Sequence, residues 1–255
     1  MTSTQESDSE TAVCGCIREP LAFWLWHRLA GAPDEKRLVG VTQVESIRFR
    51  TRDGNTLGGY KLVAANPKGC LLVAQGNAML ADHLVADLQR FRDLGFDVYV
   101  YDYRGYGLSE GKSRLAAIVT DYTEIVTDLQ TRGYQRLHLY GISIGGVMLL
   151  NAVGQSTLYT RLVVDSSPSR ISPLGCPERY DPVRSLPPDS SRLLIITGER
   201  DRVVTPRQMA ELLAVAESRG ASILRDPEFA HPYQDTSSAT HRRRQTAIAE
   251  WLRKE

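Results

Sequence analysis

Apolar and polar positions run first with the period of a strand and then as strands alternating with helices. Val44 to Arg50 sets Val44, Ile47 and Phe49 among Glu45, Ser46, Arg48 and Arg50, an imperfect period of two that predicts a strand. Asp53-Gly54 follows, a hairpin signal because both turn positions tolerate positive φ, and Thr56 to Ala64 predicts the returning strand. Beyond it, Cys70 to Ala74, Val98 to Tyr101, Leu137 to Tyr140, Leu162 to Asp165, Leu193 to Thr197 and Ala221 to Leu224 are short, mostly apolar runs. Such runs suit strands covered on both faces. Between them, Leu80 to Leu94, Leu115 to Leu129, Ile144 to Val153, Pro206 to Arg219 and Thr240 to Arg253 carry helical spacing. This order predicts an α/β fold: a mostly parallel central sheet with helices on both faces and an antiparallel N-terminal hairpin. The Pro- and Ser-rich stretch between Ser166 and Ser191 interrupts the rhythm. It leaves the carboxyl end of a strand, where α/β sheets form their binding crevice, and is expected to be a short cap (167–191).

Within this pattern, Gly141-Ile142-Ser143-Ile144-Gly145 carries a strand directly into a helix through one serine. A turn that sharp needs small residues where the chain crosses itself, which Gly141 and Gly145 supply. It presents Ser143 at a helix start, where backbone N–H groups favour developing negative charge. A nucleophilic serine needs a base, and the base needs an orienting acid. In the strand–turn–helix arrangement the chain order is serine, acid, histidine. His231, after the last predicted strand, is the expected base; His241, among arginines at the start of the last helix, is the rival. Asp201, just past the Leu193 to Thr197 strand and 30 residues before His231, is the expected acid. Glu199 and Asp226 are its rivals. His27, His83 and His138 show no partner pattern, and no metal or cofactor is expected.

Composition narrows the class. With 42% hydrophobic and 24% charged residues, the chain reads as a globular protein, not a disordered or membrane-spanning one. A net charge of +1 gives no field that argues for nucleic acid. The run His241-Arg242-Arg243-Arg244 is expected to be a solvated helix start. Cys14, Cys16, Cys70 and Cys176 fit neither zinc spacing nor a small disulfide scaffold. Reduced thiols and a cytoplasmic location are therefore expected. Glu6, Asp8 and Glu10 precede the apolar stretch Pro20 to Ala30, where a signal peptide would be basic. Met1 to about Val13 reads as a disordered tail and Pro20 to Ala30 as a short amphipathic helix, so residues 1–31 stand apart from a single domain at 32–255. The paired tryptophans Trp24 and Trp26 leave a second reading open, in which residues 20–30 contact a membrane surface.

Four segments in order carry a family resemblance: Gln75-Gly76-Asn77-Ala78, Asp102-Tyr103-Arg104-Gly105-Tyr106-Gly107-Leu108-Ser109-Glu110-Gly111, the Ser143 elbow, and Gly198 to Asp201 followed by His231. From about Val44 onward the chain resembles the α/β-hydrolase superfamily, and within it the cap-poor Bem46-like and ABHD13/ABHD17-type serine hydrolases. The resemblance implies an oxyanion hole formed by the backbone N–H of Ile144 and of Asn77 or Ala78. It departs at Gln75, where the family usually has His, and at Ala230, where it often has Gly. Arg104 is expected to hold its loop rather than to react. The activity implied is hydrolysis of a small-molecule acyl ester or thioester by Ser143, His231 and Asp201. The alternatives are a membrane-surface lipid hydrolase and a non-catalytic binding protein on the same fold. Neither acyl length nor oligomeric state is legible.

Overall fold

A computed structural model describes residues 11–254. Residues 1–10 of the expected tail lie outside the described residues, while Val13 departs from that expectation by packing half-buried against the core. Among these residues eight strands form one sheet: β1 (Val44–Arg50), β2 (Thr56–Leu62), β3 (Gly69–Ala74), β4 (Phe96–Tyr101), β5 (Leu137–Ile142), β6 (Arg161–Asp165), β7 (Leu193–Gly198) and β8 (Ser222–Asp226). Their order is β1-β2-β4-β3-β5-β6-β7-β8. β1 pairs antiparallel with β2, and β2 with β4; every other pairing is parallel. The β1–β2 turn contains Gly54 at φ 90°, the conformation the Asp-Gly pair predicts.

Among the described residues six helices surround the sheet: α1 (Arg18–Ala30), α2 (Val85–Asp93), α3 (Leu115–Thr131), α4 (Ile144–Val153), α5 (Pro206–Ser218) and α6 (Ser238–Arg253). Alternation along each strand divides the core in two. Leu72, Leu139, Val164 and Ile195 face α3, α4 and α5, whereas Leu71, Val73, Tyr140 and Val163 face α2 and α6. Strands buried on both faces explain the continuous apolar runs. The expected helix from Leu80 is interrupted. Ala81–His83 is a 3₁₀ turn, and α2 begins only at Val85. Ala81 N–H, at the start of that turn, donates to Asp102 Oδ1 at 2.7 Å. The segment between β6 and β7 contains three short 3₁₀ turns, Ser172–Leu174, Glu178–Tyr180 and Pro182–Ser185.

α1 lies against the domain. Phe23 and Ala30 are buried in the same core cluster as α3 and α4, and Tyr106 donates to Phe23 O at 3.0 Å. Cys14 and Cys176 are joined in a disulfide across 162 residues, tying the start of α1 to the β6–β7 segment. The expectation of reduced thiols fails for this pair, and with it the argument for a cytoplasmic location; Cys16 and Cys70 are free. Two cysteines this far apart meet only through tertiary packing, which spacing does not reveal. Among the described residues no helix is long and apolar enough to cross a membrane. The basic run also departs from expectation, because Arg244 is fully buried while Arg242 and Arg243 are exposed.

Candidate active site

The elbow forms as its small residues require. Ser143 links β5 to α4 at φ 55° and ψ −117°, a left-handed conformation that costs a non-glycine residue of order 1–3 kcal/mol unless its surroundings fix it. They do. Its N–H donates to Asp165 O at 2.8 Å, and its carbonyl accepts from Gly146 N at 3.0 Å and Ser167 Oγ at 2.7 Å. A Cβ on Gly141 would lie 2.5 Å from Gly146 Cα, and one on Gly145 only 2.1 Å from Ala74 O. Neither position admits another residue without moving backbone.

Asp201 and His231 leave the carboxyl ends of β7 and β8, the same end of the sheet from which Ser143 leaves β5. His231 Nδ1 and Asp201 Oδ2 are 2.9 Å apart, and both residues are buried. Asp201 Oδ1 accepts from the N–H groups of Val203 and Val204, each at 2.8 Å. Burial alone would raise the Asp201 carboxyl, but the His231 bond and charge and these two N–H donors outweigh it and hold it low. An ionised Asp201 makes Nδ1 the protonated ring nitrogen and leaves Nε2 as an acceptor. The rivals go elsewhere. Asp226 is bound by Arg243 at 2.8 Å, Glu199 is exposed, and His241 bonds Asp87 at 2.9 Å.

The loop after β3 approaches Ser143. A Cβ on Gly76 would lie 3.7 Å from Ser143 Cβ, and Ala78 sits at φ 53°. Asn77, Ser143 and Ile144 line one cavity of about 460 Å³, to which Arg207, Gln208 and Glu211 of α5 also contribute. Gln75, at the base of the loop, is fully buried with neither side-chain nitrogen nor oxygen partnered. Arg104 is structural as expected, forked between Asp53 and Asp121. Among the described residues no group of His, Cys, Asp and Glu is placed to hold a metal ion.

Arg244 is the site residue that sequence reasoning missed. Its Nη1 donates to Asp165 Oδ1 at 2.7 Å, and its Nη2 to Ala230 O at 2.6 Å and Asp235 Oδ1 at 3.0 Å. Asp235 Oδ1 also accepts from Ala230 N–H at 3.0 Å. Both backbone polar groups of the residue before His231 are therefore held by one buried ion pair. Its planar cation also lies 4.2 Å from the Phe229 ring centroid. A signal did exist: Arg244 shares the face of α6 that carries Ile248, Trp251 and Leu252, all buried.

Comparison with known proteins follows the same lines. Residues 65–174 match the family model described as serine aminopeptidase, S33. YfhR of Escherichia coli O157:H7 is 33% identical over 122 residues, 44% of this chain and 42% of YfhR, so the match spans less than half of that relative. Protein bem46 of Schizosaccharomyces pombe is 26% identical over 214 residues, covering 74% of this chain and 71% of its own length. The Pyrococcus furiosus esterase Pf2001 superposes with a TM-score of 0.69 at 17% identity, covering 87% of this chain and 95% of that one. That last likeness is one of fold.

Proposed function

We propose that this chain, an α/β-hydrolase by its fold and its relatives, is a serine hydrolase that cleaves carboxylic esters or thioesters through an acyl-enzyme on Ser143. The observation that carries the reading is the 2.9 Å pair of His231 and Asp201, at the end of the sheet where the elbow presents Ser143. Ser143 Oγ bonds to the acyl carbon while its proton passes to His231 Nε2. The bond to the leaving oxygen or sulfur then breaks, and Nε2 returns the proton to that group. Water, deprotonated by Nε2, attacks the acyl carbon; the acid leaves and Ser143 recovers its proton. Ionised Asp201 holds the tautomer and stabilises the imidazolium in both halves. Backbone N–H of Ile144 and of Asn77 or Ala78 receive the oxyanion, a stabilisation whose loss typically costs about 10²–10³ in rate.

Esters are favoured over the peptides named in the matched family's description by the charges around the cavity. Among the described residues Glu211 is the one carboxylate lining it, and Arg170 binds Glu211 on two nitrogens. A free α-amino group would find no unpaired acid there. The test is labelling by a fluorophosphonate probe together with p-nitrophenyl acetate turnover. Both should be present in the intact chain and absent in Ser143→Ala; labelling that survives the substitution would overturn the assignment.

A second reading, action at a lipid surface, is favoured by α1. Leu21, Trp24, Leu25 and Leu29 are 57%, 58%, 46% and 67% exposed, an apolar face on one helix. Flotation with liposomes, lost on Trp24→Glu, is its expected signature; a chain that never floats would refute it. A binding protein without catalysis is disfavoured because no member of the serine, histidine and acid set is missing.

A further inference from the structure

Beside the Ser143 cavity lies a second chamber of about 410 Å³, open to solvent on one side, between α1 and the β6–β7 segment. The two are contiguous: Trp26, Ile144, Ile171, Pro173 and Leu174 line both. The chamber's other walls include Phe23, Ala22 and Leu115, and the Cys14–Cys176 disulfide closes one side. Its two charged side chains are Glu19 and Arg18. The Glu19 carboxylate accepts from Cys14 N–H at 2.6 Å and from Leu115 N–H at 2.8 Å, and Arg18 donates to Leu174 O at 3.0 Å. Apart from that carboxylate and Arg18, whose charge reaches solvent, the walls are apolar, so the chamber favours an apolar group over one that must surrender its water.

Ile144 decides what does fit. Its N–H follows the nucleophile and its residue borders both cavities. An acyl group bonded to Ser143 Oγ, with its oxygen toward that N–H, has its first methylenes beside Ile144 and the chamber directly beyond. The Ser143 cavity itself carries Arg207, Gln208 and Glu211, polar groups that the chamber lacks and that suit the leaving group and water. We infer that the chamber between α1 and the β6–β7 segment is the acyl-chain site, and that the substrate carries an unbranched fatty acyl group of medium length, octanoyl to dodecanoyl. The inference rests on the acyl-enzyme reading and adds to it a role for α1, which lies outside the catalytic core yet forms the wall of its specificity site.

The experiment measures kcat/KM for p-nitrophenyl acetate, butyrate, octanoate and dodecanoate with the full chain and with Ala22→Trp. Ala22 is only half-buried on α1, and its side chain borders the chamber. For the intact chain, kcat/KM should rise from butyrate to octanoate by about fourfold per methylene, the value of burying each CH₂. Ala22→Trp should lower octanoate turnover at least about tenfold and leave acetate within about twofold. As a check that needs no substitution, dodecanoate but not butyrate should slow fluorophosphonate labelling of Ser143. A flat profile, or equal losses on acetate and octanoate in a folded Ala22→Trp, would overturn the chamber assignment while Ser143-dependent acetate hydrolysis stands. Absence of Ser143-dependent acetate hydrolysis would overturn the parent reading instead.

Discussion

Replacing Arg244 by Met keeps an aliphatic stem over Phe229 and removes the guanidinium that three acceptors share. Asp165 is fully buried, and burial pushes its carboxyl above the ordinary range even with Arg244 beside it. Asp235 is held down to about 2, against its own burial, chiefly by the neighbouring His241 and by bonds from Arg244. Removing one partner of a buried ion pair typically costs 3–5 kcal/mol, because the remaining charge is left without solvent or counterion. Against a typical total of about 5–15 kcal/mol, that leaves a folded but marginal protein. The sign with pH follows from Asp165. Without Arg244 its folded-state pKa moves further above the unfolded value of about 3.9, so the native state binds more protons and loses stability as pH rises. The loss relative to wild type should therefore be smaller at pH 5 than at pH 8. Urea midpoints at both pH values measure it, with Arg244→Lys as a milder companion that retains charge but not the fork. Arg244 also holds Ala230 O, next to His231. In the folded variant kcat for p-nitrophenyl butyrate should fall with KM unchanged. A loss at pH 8 below about 1 kcal/mol, or one equal at the two pH values, would refute the reasoning.

Three further outcomes are expected. Asp201→Asn keeps an acceptor for Val203 and Val204 but turns an amide donor toward His231 Nδ1, forcing the wrong tautomer; kcat should fall by about 10⁴ with little change in the thermal midpoint. His241, raised to about 9 by the Asp235 carboxylate 3.8 Å away and its 2.9 Å bond to Asp87, contributes stability that is fully present below pH ~6.5 and lost as pH rises through about 9. Chemical denaturation of wild type should weaken across that window by about 2 kcal/mol, discounted for partial exposure, and His241→Gln should lack the slope. Reduction of the disulfide that closes 162 residues removes a constraint worth up to about 5 kcal/mol in the chain-entropy view, so the thermal midpoint should drop in a reducing buffer and the Cys14→Ser midpoint should not respond.

What the sequence revealed and what it concealed divide by the range of the interaction. The elbow was legible because its logic is local. A strand, a serine and a helix in ten residues demand glycines at two crossings, and the backbone contacts at Gly141 and Gly145 are those crossings. Asp201 and His231 were legible because each follows a strand in a known order, although their 2.9 Å contact is tertiary. The break before α2 was hidden because helical spacing does not separate a 3₁₀ turn at Ala81–His83 from the helix that follows it. The Cys14–Cys176 bond had no local signature at all.

Arg244 lies between these cases and explains how composition misleads. In a run of four basic residues the default is a solvated face, and Arg242 and Arg243 obey it. Helical phase, however, assigns Arg244 to the inward stripe with Ile248, where a lone cation would be prohibitively costly. An arginine at such a position requires buried carboxylates, and none of the residues near it in sequence except Asp235 supplies one. The other acid had to come from a strand end, and Asp165, 79 residues earlier, provides it at the C-terminus of β6. That strand end also fixes Ser143 through its carbonyl. The buried pair thus joins the loop of the proposed base to the elbow of the proposed nucleophile. A charge that looked superfluous in the sequence is therefore the residue through which α6 can set the relative position of the two.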